Sequence, residues 1–159
     1  MRRALLYGAF ALACLAAPIA AKASLFSLFE SGHAVQSGPH ELYVTPDHDG
    51  LYYVFAEVNG ARIRFVIDSG SDDVVLTGKD ARRAGIDVSR LDFSEEYDAE
   101  TGSGLEANTK VRQLSIGPLA MNDFPIAVNE DGGTSLLGMP FLRRMKSVEI
   151  RSGRLYLRW

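Results

Sequence analysis

Apolar residues recur at alternate positions in short bursts along this chain, and turn residues interrupt them at close intervals. Leu42-Tyr43-Val44 predicts a short strand, and Pro46-Asp47-His48-Asp49-Gly50 predicts the turn after it. Leu51 to Val58 and Ala61 to Ile67 predict the arms of a hairpin, because Asn59-Gly60 between them tolerates the left-handed backbone of a tight turn. Val74-Val75-Leu76 is a further apolar run, and Lys79 to Ala84 predicts a short helix closed by Gly85. Asp92 to Asn108 is polar and acidic, with Thr101-Gly102-Ser103-Gly104 in its middle. Thr109 to Ile116 alternates again and turns at Gly117-Pro118, and Phe124 to Val128 predicts a strand that ends in Asn129 to Gly133. Ser135-Leu136-Leu137-Gly138 is apolar with a terminal glycine, and Met139 to Met145 predicts a short helix with Pro140 tolerated in its first turn. Val148-Glu149-Ile150 and Leu155-Tyr156-Leu157 predict a closing hairpin around Ser152-Gly153. Short strands at close spacing with one or two brief helices predict an all-β, barrel-like domain over residues 41–159.

The first residues follow a different pattern. Met1-Arg2-Arg3 is basic, Ala4 to Ala21 is uncharged and mostly apolar, and Ala21-Lys22-Ala23 has the small-x-small form of a cleavage site. Together they predict a secretory signal peptide over 1–23, cleaved after Ala23, and a periplasmic or otherwise exported product. The competing reading is an N-terminal membrane anchor, since the apolar run lies near the lower limit for a spanning helix. Its Ala and Gly content makes it weakly hydrophobic, which favours cleavage. Arg2-Arg3 lacks the surroundings of a twin-arginine signal, and Cys14 lacks a leucine three places before it, as a lipoprotein site would want. Residues 24–40 open with Leu25, Phe26, Leu28 and Phe29 and then pass through Ser, Gly, His and Pro, which predicts a linker or tether.

Length, charge and cysteine usage narrow the function. The 159 residues fit one ordinary domain, and 47% hydrophobic content is enough for a real core. Removing 1–23 takes away Arg2, Arg3 and Lys22 and no acid, so Lys+Arg falls from 17 to 14 against 20 Asp+Glu, a net charge of −6. That balance argues against nucleic acid and against an anionic membrane surface as partners. Membrane association is expected only if the first segment is retained. Cleavage also removes Cys14, the single cysteine, so the exported domain is expected to have neither a disulfide nor thiol chemistry.

The most informative stretch is Phe65-Val66-Ile67-Asp68-Ser69-Gly70-Ser71, an apolar strand that ends abruptly in an acid, a hydroxyl residue and a glycine. The hairpin before it makes the strand rigid, so Asp68 is a carboxylate held on firm backbone. The plain reading of such an acid is a side chain that caps a turn. Other motifs are weaker. Asp47, Asp49 and Gly50 have the look of a calcium loop, but its downstream Glu and full spacing are missing. His33, His40 and His48 are too far apart for a local zinc motif. Gly102 and Gly104 have no strand–helix unit around them and make no nucleotide fingerprint. No metal and no cofactor is expected.

Asp68-Ser69-Gly70 after a hairpin, the glycine-bearing polar segment at 101–104, and Leu136-Leu137-Gly138 before a helix stand in one order. In this order the chain resembles the retropepsin-like aspartic proteases, specifically the single-domain bacterial members exported to the cell envelope, over roughly residues 50–159. The triplet alone is a weak signal; the hairpin, the triplet, the Lys79–Gly85 helix and Leu-Leu-Gly-Met-Pro-Phe-Leu together are fairly specific. The resemblance implies a retropepsin-like closed β-barrel-type domain that is half of a two-fold dimeric enzyme. Such chemistry needs two carboxylates about 3 Å apart sharing one proton, one to activate water and one to polarise the carbonyl. One chain has one triplet, so the second acid is expected from Asp68 of another subunit, because a residue on a two-fold axis meets its own copy.

The resemblance also implies roles. Asp68 is the catalytic acid and base, Ser69 lends its hydroxyl to a brace across the dimer, and Gly70 lets the backbone approach the acid with its N–H available. Residues 97–108 are the expected flap over an extended peptide or protein substrate, with Thr101, Gly102, Ser103 and Gly104 at its tip. Leu136, Leu137 and Gly138 match the element that packs beneath the catalytic loop. Ser71 stands where retroviral enzymes have Ala, and its hydroxyl is expected near substrate, where it would donate to the ionised acids; Asp72 and Asp73 would oppose that effect by repulsion, or form a solvated turn. Subtilisin-like proteases share the apolar-Asp-Ser-Gly strand end, but they need a histidine base, and no histidine follows His48. The alternative from another class is a catalytically inactive peptide-binding or scaffolding dimer on the same fold.

Overall fold

The computed structural model describes residues 32–99 and 102–159. The expected signal peptide, the first part of the linker and Thr101 lie outside the described residues. One antiparallel sheet has four strands in the order β1 (Val35–Gly38), β2 (Glu41–Val44), β11 (Arg154–Arg158) and β10 (Ser147–Arg151). The second has the order β3 (Tyr53–Val58), β4 (Ala61–Ile67), β9 (Ser135–Leu137), β5 (Val74–Thr77), β8 (Leu119–Asn129), β7 (Gly102–Ile116) and β6 (Glu95–Ala99). Glu57 and Val58 of β3 also pair with Ser115 and Leu114 of β7, so the sheet curls until its first strand meets its last but one. Two short α-helices, α1 (Gly78–Arg83) after β5 and α2 (Met139–Leu142) after β9, and a single 3-10 turn at Val88–Arg90 complete the described fold.

The turns are where the sequence put them. Asn59 and Gly60 have φ of 51° and 87°, the left-handed pair that a two-residue hairpin requires. Asn59 also joins distant elements. Its Oδ1 accepts from the Arg112 amide at 2.9 Å and its Nδ2 donates to the Ala84 carbonyl at 3.1 Å, tying the hairpin to β7 and to the end of α1. Thr77 caps α1 by accepting from the Asp80 amide, and Gly85 follows with φ of 76°.

Alternation directs Val54, Ala56, Ile63, Phe65, Leu155 and Leu157 inward, and one hydrophobic cluster containing them serves both sheets. Phe65, Phe124 and Phe141 are its largest fully buried side chains, each worth about 1.5–3 kcal/mol of burial. Several boundaries differ from the sequence reading: β8 begins at Leu119 and not at Phe124, and α2 ends at Leu142 and not at Met145. Val35–Gly38, assigned to the linker, is a strand paired with β2, and β7 runs unbroken through the polar stretch to Ile116. Both segments pair through their backbones; β1 is exposed along most of its length, so no apolar alternation marks it, and the polar stretch of β7 buries a glutamate and an alanine, Glu106 and Ala107, where no large apolar residue signals a strand.

Candidate active site

Strand pairing delivers the acid. Val66 and Ile67 of β4 run parallel to Leu136 and Leu137 of β9, and Val74 and Val75 of β5 pair antiparallel with the same two leucines. The loop 68–73 must therefore cross the end of β9 to pass from one neighbour to the other. The Asp68 amide donates to the Leu137 carbonyl at 3.2 Å, and the Gly70 amide donates to Asp68 Oδ1 at 2.8 Å. A Cβ at Gly70 would come within 3.2 Å of that same oxygen, so the glycine keeps the approach open. Asp68 is half-buried, while Ser69 and Gly70 are exposed.

Gly138 lies directly under this loop. A Cβ there would collide with the Asp73 carbonyl and reach within 2.6 Å of the Ser71 carbonyl, and the Met139 amide donates to Ser71 at 2.8 Å. Leu137 is fully buried beneath it. The sequence-predicted Leu136, Leu137 and Gly138 are thus brought together with Asp68, Ser69 and Gly70. Ser71 differs from expectation in its partner. Its hydroxyl donates to the Asp73 carbonyl at 2.8 Å, which braces the loop and directs the group away from donation to the acid.

β6 and the first part of β7 form a hairpin with Tyr97 opposite Gly104, Asp98 opposite Ser103 and Ala99 opposite Gly102. Gly104 is not at the turn. A Cβ on it would lie 2.8 Å from the Tyr97 ring, so this glycine provides the surface on which that ring rests. Beside it, Glu95 pairs with Glu106. Burial pushes the Glu106 carboxyl above its ordinary range, and the charges of Asp73 and Glu95 add to the effect. Burial raises Asp73 as well, with Asp72 contributing. Asp73 is therefore more than part of a solvated turn.

Ser69 also lines a groove of about 510 Å³ with Ile67, Met139, Leu142, Val148 and Ile150. Val148 and Ile150 belong to β10, the end strand of its sheet, and are 39% and 66% exposed. Sequence reasoning placed Val148 and Ile150 in a closing hairpin without relating them to the Asp68 loop. Glu106 was hidden in a stretch that reads only as acidic. Counting back from buried Val111 in steps of two would have set Glu106 on the opposite face from the core. The Asp47–Asp49 turn has other employment: Asp47 pairs with Arg64 at 2.6 Å, and Asp49 accepts from the Tyr53 hydroxyl at 2.7 Å.

Comparison with known proteins agrees with this geometry. Residues 54–144 match the family described as "gag-polyprotein putative aspartyl protease". An uncharacterized protein of Rickettsia prowazekii (strain Madrid E) is 30% identical over 119 residues, 75% of this chain and 52% of that protein. Another, of Sinorhizobium sp, is 29% identical over 123 residues, 76% of this chain and 53% of the relative. The chain spans about half the length of these curated relatives. The crystal structure of a retropepsin-like aspartic protease from Rickettsia conorii is similar with a TM-score of 0.68 and 31% identity, covering 75% of this chain and 90% of that one. EIAV protease complexed with the inhibitor HBY-793 shares the fold, with a TM-score of 0.53 and 19% identity over 63% of this chain and 92% of that one.

Proposed function

The chain belongs to the retropepsin-like aspartic proteases, and from that premise we propose that it is an endopeptidase whose acid pair is Asp68 and the Asp68 of a second copy. The observation that carries this reading is the single Asp68, fixed by the Leu137 carbonyl and the Gly70 amide at the tip of an otherwise complete catalytic loop. With two such loops face to face, the carboxyls share one proton. The ionised member takes a proton from water, the water oxygen attacks the peptide carbonyl, and the protonated member donates to the carbonyl oxygen. Proton transfer to the departing nitrogen then releases the amine. No metal and no nucleophilic serine enters these steps.

The groove beside Ser69 supports a second copy as partner. Its rim carries the exposed side chains Val148 and Ile150, which a two-fold contact would cover with the same residues of the other subunit. In that pairing the Ser69 hydroxyl faces the partner loop. The β6–β7 hairpin acts as the flap, closing over an extended peptide that adds as a strand. An exported location, with residues 1–23 removed, belongs to the same proposal.

The test is cleavage of an unstructured protein by the purified protein. Wild type is expected to cleave, Asp68→Asn to be inactive, and a statine-type inhibitor to block cleavage where chelators and serine-directed reagents do not. Full activity of Asp68→Asn would overturn the assignment. Peptide binding without cleavage by wild type would favour the inactive scaffolding dimer.

A further inference from the structure

The face of the seven-stranded sheet opposite the core, beyond the Asp68 loop, carries a carboxylate that the acid-pair chemistry does not use. Val75 and Ala127 pair in register on β5 and β8, and Ala127 pairs with Asn108 of β7. Both are buried yet stand outside the main core cluster, so this face is the one opposite the core. Alternation along β7 puts Glu106 and Gly104 on that face with Asn108, and Asp73, in the bend just before β5 and two residues from Val75, is near enough for its charge to act on Glu106. Glu95 and Tyr97 join them through their pairing with Glu106 and Gly104. The face therefore runs from the end of the Asp68 loop to the underside of the flap.

Glu106 is only 9% exposed. Among the described residues its side chain has neither an ion pair nor a hydrogen bond, and the same holds for the side chains of Asp73 and Glu95. Like charges set directly across an antiparallel pair are unfavourable, and a buried carboxylate without a partner is more so. No buried side-chain oxygen among the described residues is both sealed from solvent and unpaired, so the Glu106 carboxylate reaches open space. An arrangement that costs stability and opens onto the substrate face fits a cation supplied from outside.

We propose that Glu106, with Asp73 and Glu95, forms an anionic subsite that takes the ammonium or guanidinium of a substrate lysine or arginine, with the Tyr97 ring on Gly104 as the wall along which its methylene stem lies. The inference rests on the reading of this face as the substrate cleft. It adds a substrate class to that reading: peptides with a basic side chain at one fixed position near the cleaved bond.

The test uses pairs of peptides that differ only by lysine or norleucine at each successive position. Cleavage is followed with wild type, and binding with Asp68→Asn. Lysine at one position is expected to improve both kcat/KM and Kd by about tenfold or more, as a charge-assisted hydrogen bond would. Glu106→Gln is expected to bring that ratio to within about twofold, and Asp73→Asn to lower it; if Glu106→Gln fails to fold, Asp73→Asn decides. A ratio of one at every position in wild type, or a full ratio retained in Glu106→Gln, overturns the subsite while cleavage itself sustains the protease. Lysine-selective binding with no cleavage sustains the subsite and overturns the protease. Neither binding nor cleavage of any peptide overturns both.

Discussion

The Met139 amide donates to the Ser71 carbonyl at 2.8 Å, joining the start of α2 to the loop that carries Asp68. The contact is possible because Gly138, just before it, presents no side chain to the carbonyls of Ser71 and Asp73. The acid is thus positioned from beneath by a residue distant in sequence.

Gly138→Ala is expected to force the loop from α2 and to lower stability by about 1–3 kcal/mol or more, as overpacking of a tight contact does. A urea titration gives the change in midpoint, and turnover should fall with it. Unchanged stability and turnover would mean that loop and helix separate freely.

The Tyr97 contact makes a different prediction for the β6–β7 hairpin, the proposed flap. Gly104→Val should displace the ring and reduce turnover, whereas Gly102→Val, two pairs nearer the turn, stands opposite Ala99 and not a ring. A cycle of Gly104→Val with Tyr97→Ala should show a coupling of about 0.5–3 kcal/mol in kcat/KM. Strict additivity would place Tyr97 elsewhere when substrate is bound.

How much of this was legible beforehand depended on how each element is stabilised. The hairpins at Asn59-Gly60 and Ser152-Gly153 were readable because their backbone needs left-handed residues, and the inward residues of β3, β4 and β11 because they alternate. Asp68, Ser69 and Gly70 stood out because an apolar strand stops at an acid. β1 and the β6–β7 arm were not readable as strands, since β1 is mostly exposed and the arm buries Glu106 and Ala107 in place of large apolar side chains. The relation of Glu106 to Asp73 depends on strand order, which local pattern does not carry.

Glu106 also yields a pH prediction. Burial first, and then the Asp73 and Glu95 charges, raise its carboxyl in the folded chain. The folded state then holds a proton that the unfolded chain has already released. Stability from this group is present in full below the unfolded value of about 4.3 and is lost as pH rises through the raised folded value. Glu106→Gln should therefore raise Tm at pH 7 and change it little at pH 4. A lower Tm at pH 7 would mean that the ionised carboxylate is stabilising the fold.

Ile150→Lys probes the interface. The residue is 66% exposed in the single chain, so the change should alter monomer stability by no more than about 0.5 kcal/mol. Placed in a two-fold contact, the new charge meets its own copy. Sedimentation should show a shift to monomer, with turnover lost in parallel; an active Ile150→Lys dimer would move the interface away from this groove.

The shared acid pair is tested most directly by mixing subunits. Wild-type and Asp68→Asn chains are exchanged to equilibrium in varied proportion at constant total concentration, and turnover is measured. If each site needs an Asp68 from both copies, activity follows the square of the wild-type fraction. Activity that falls in simple proportion to that fraction would show that one chain holds a complete site, and would contradict the account.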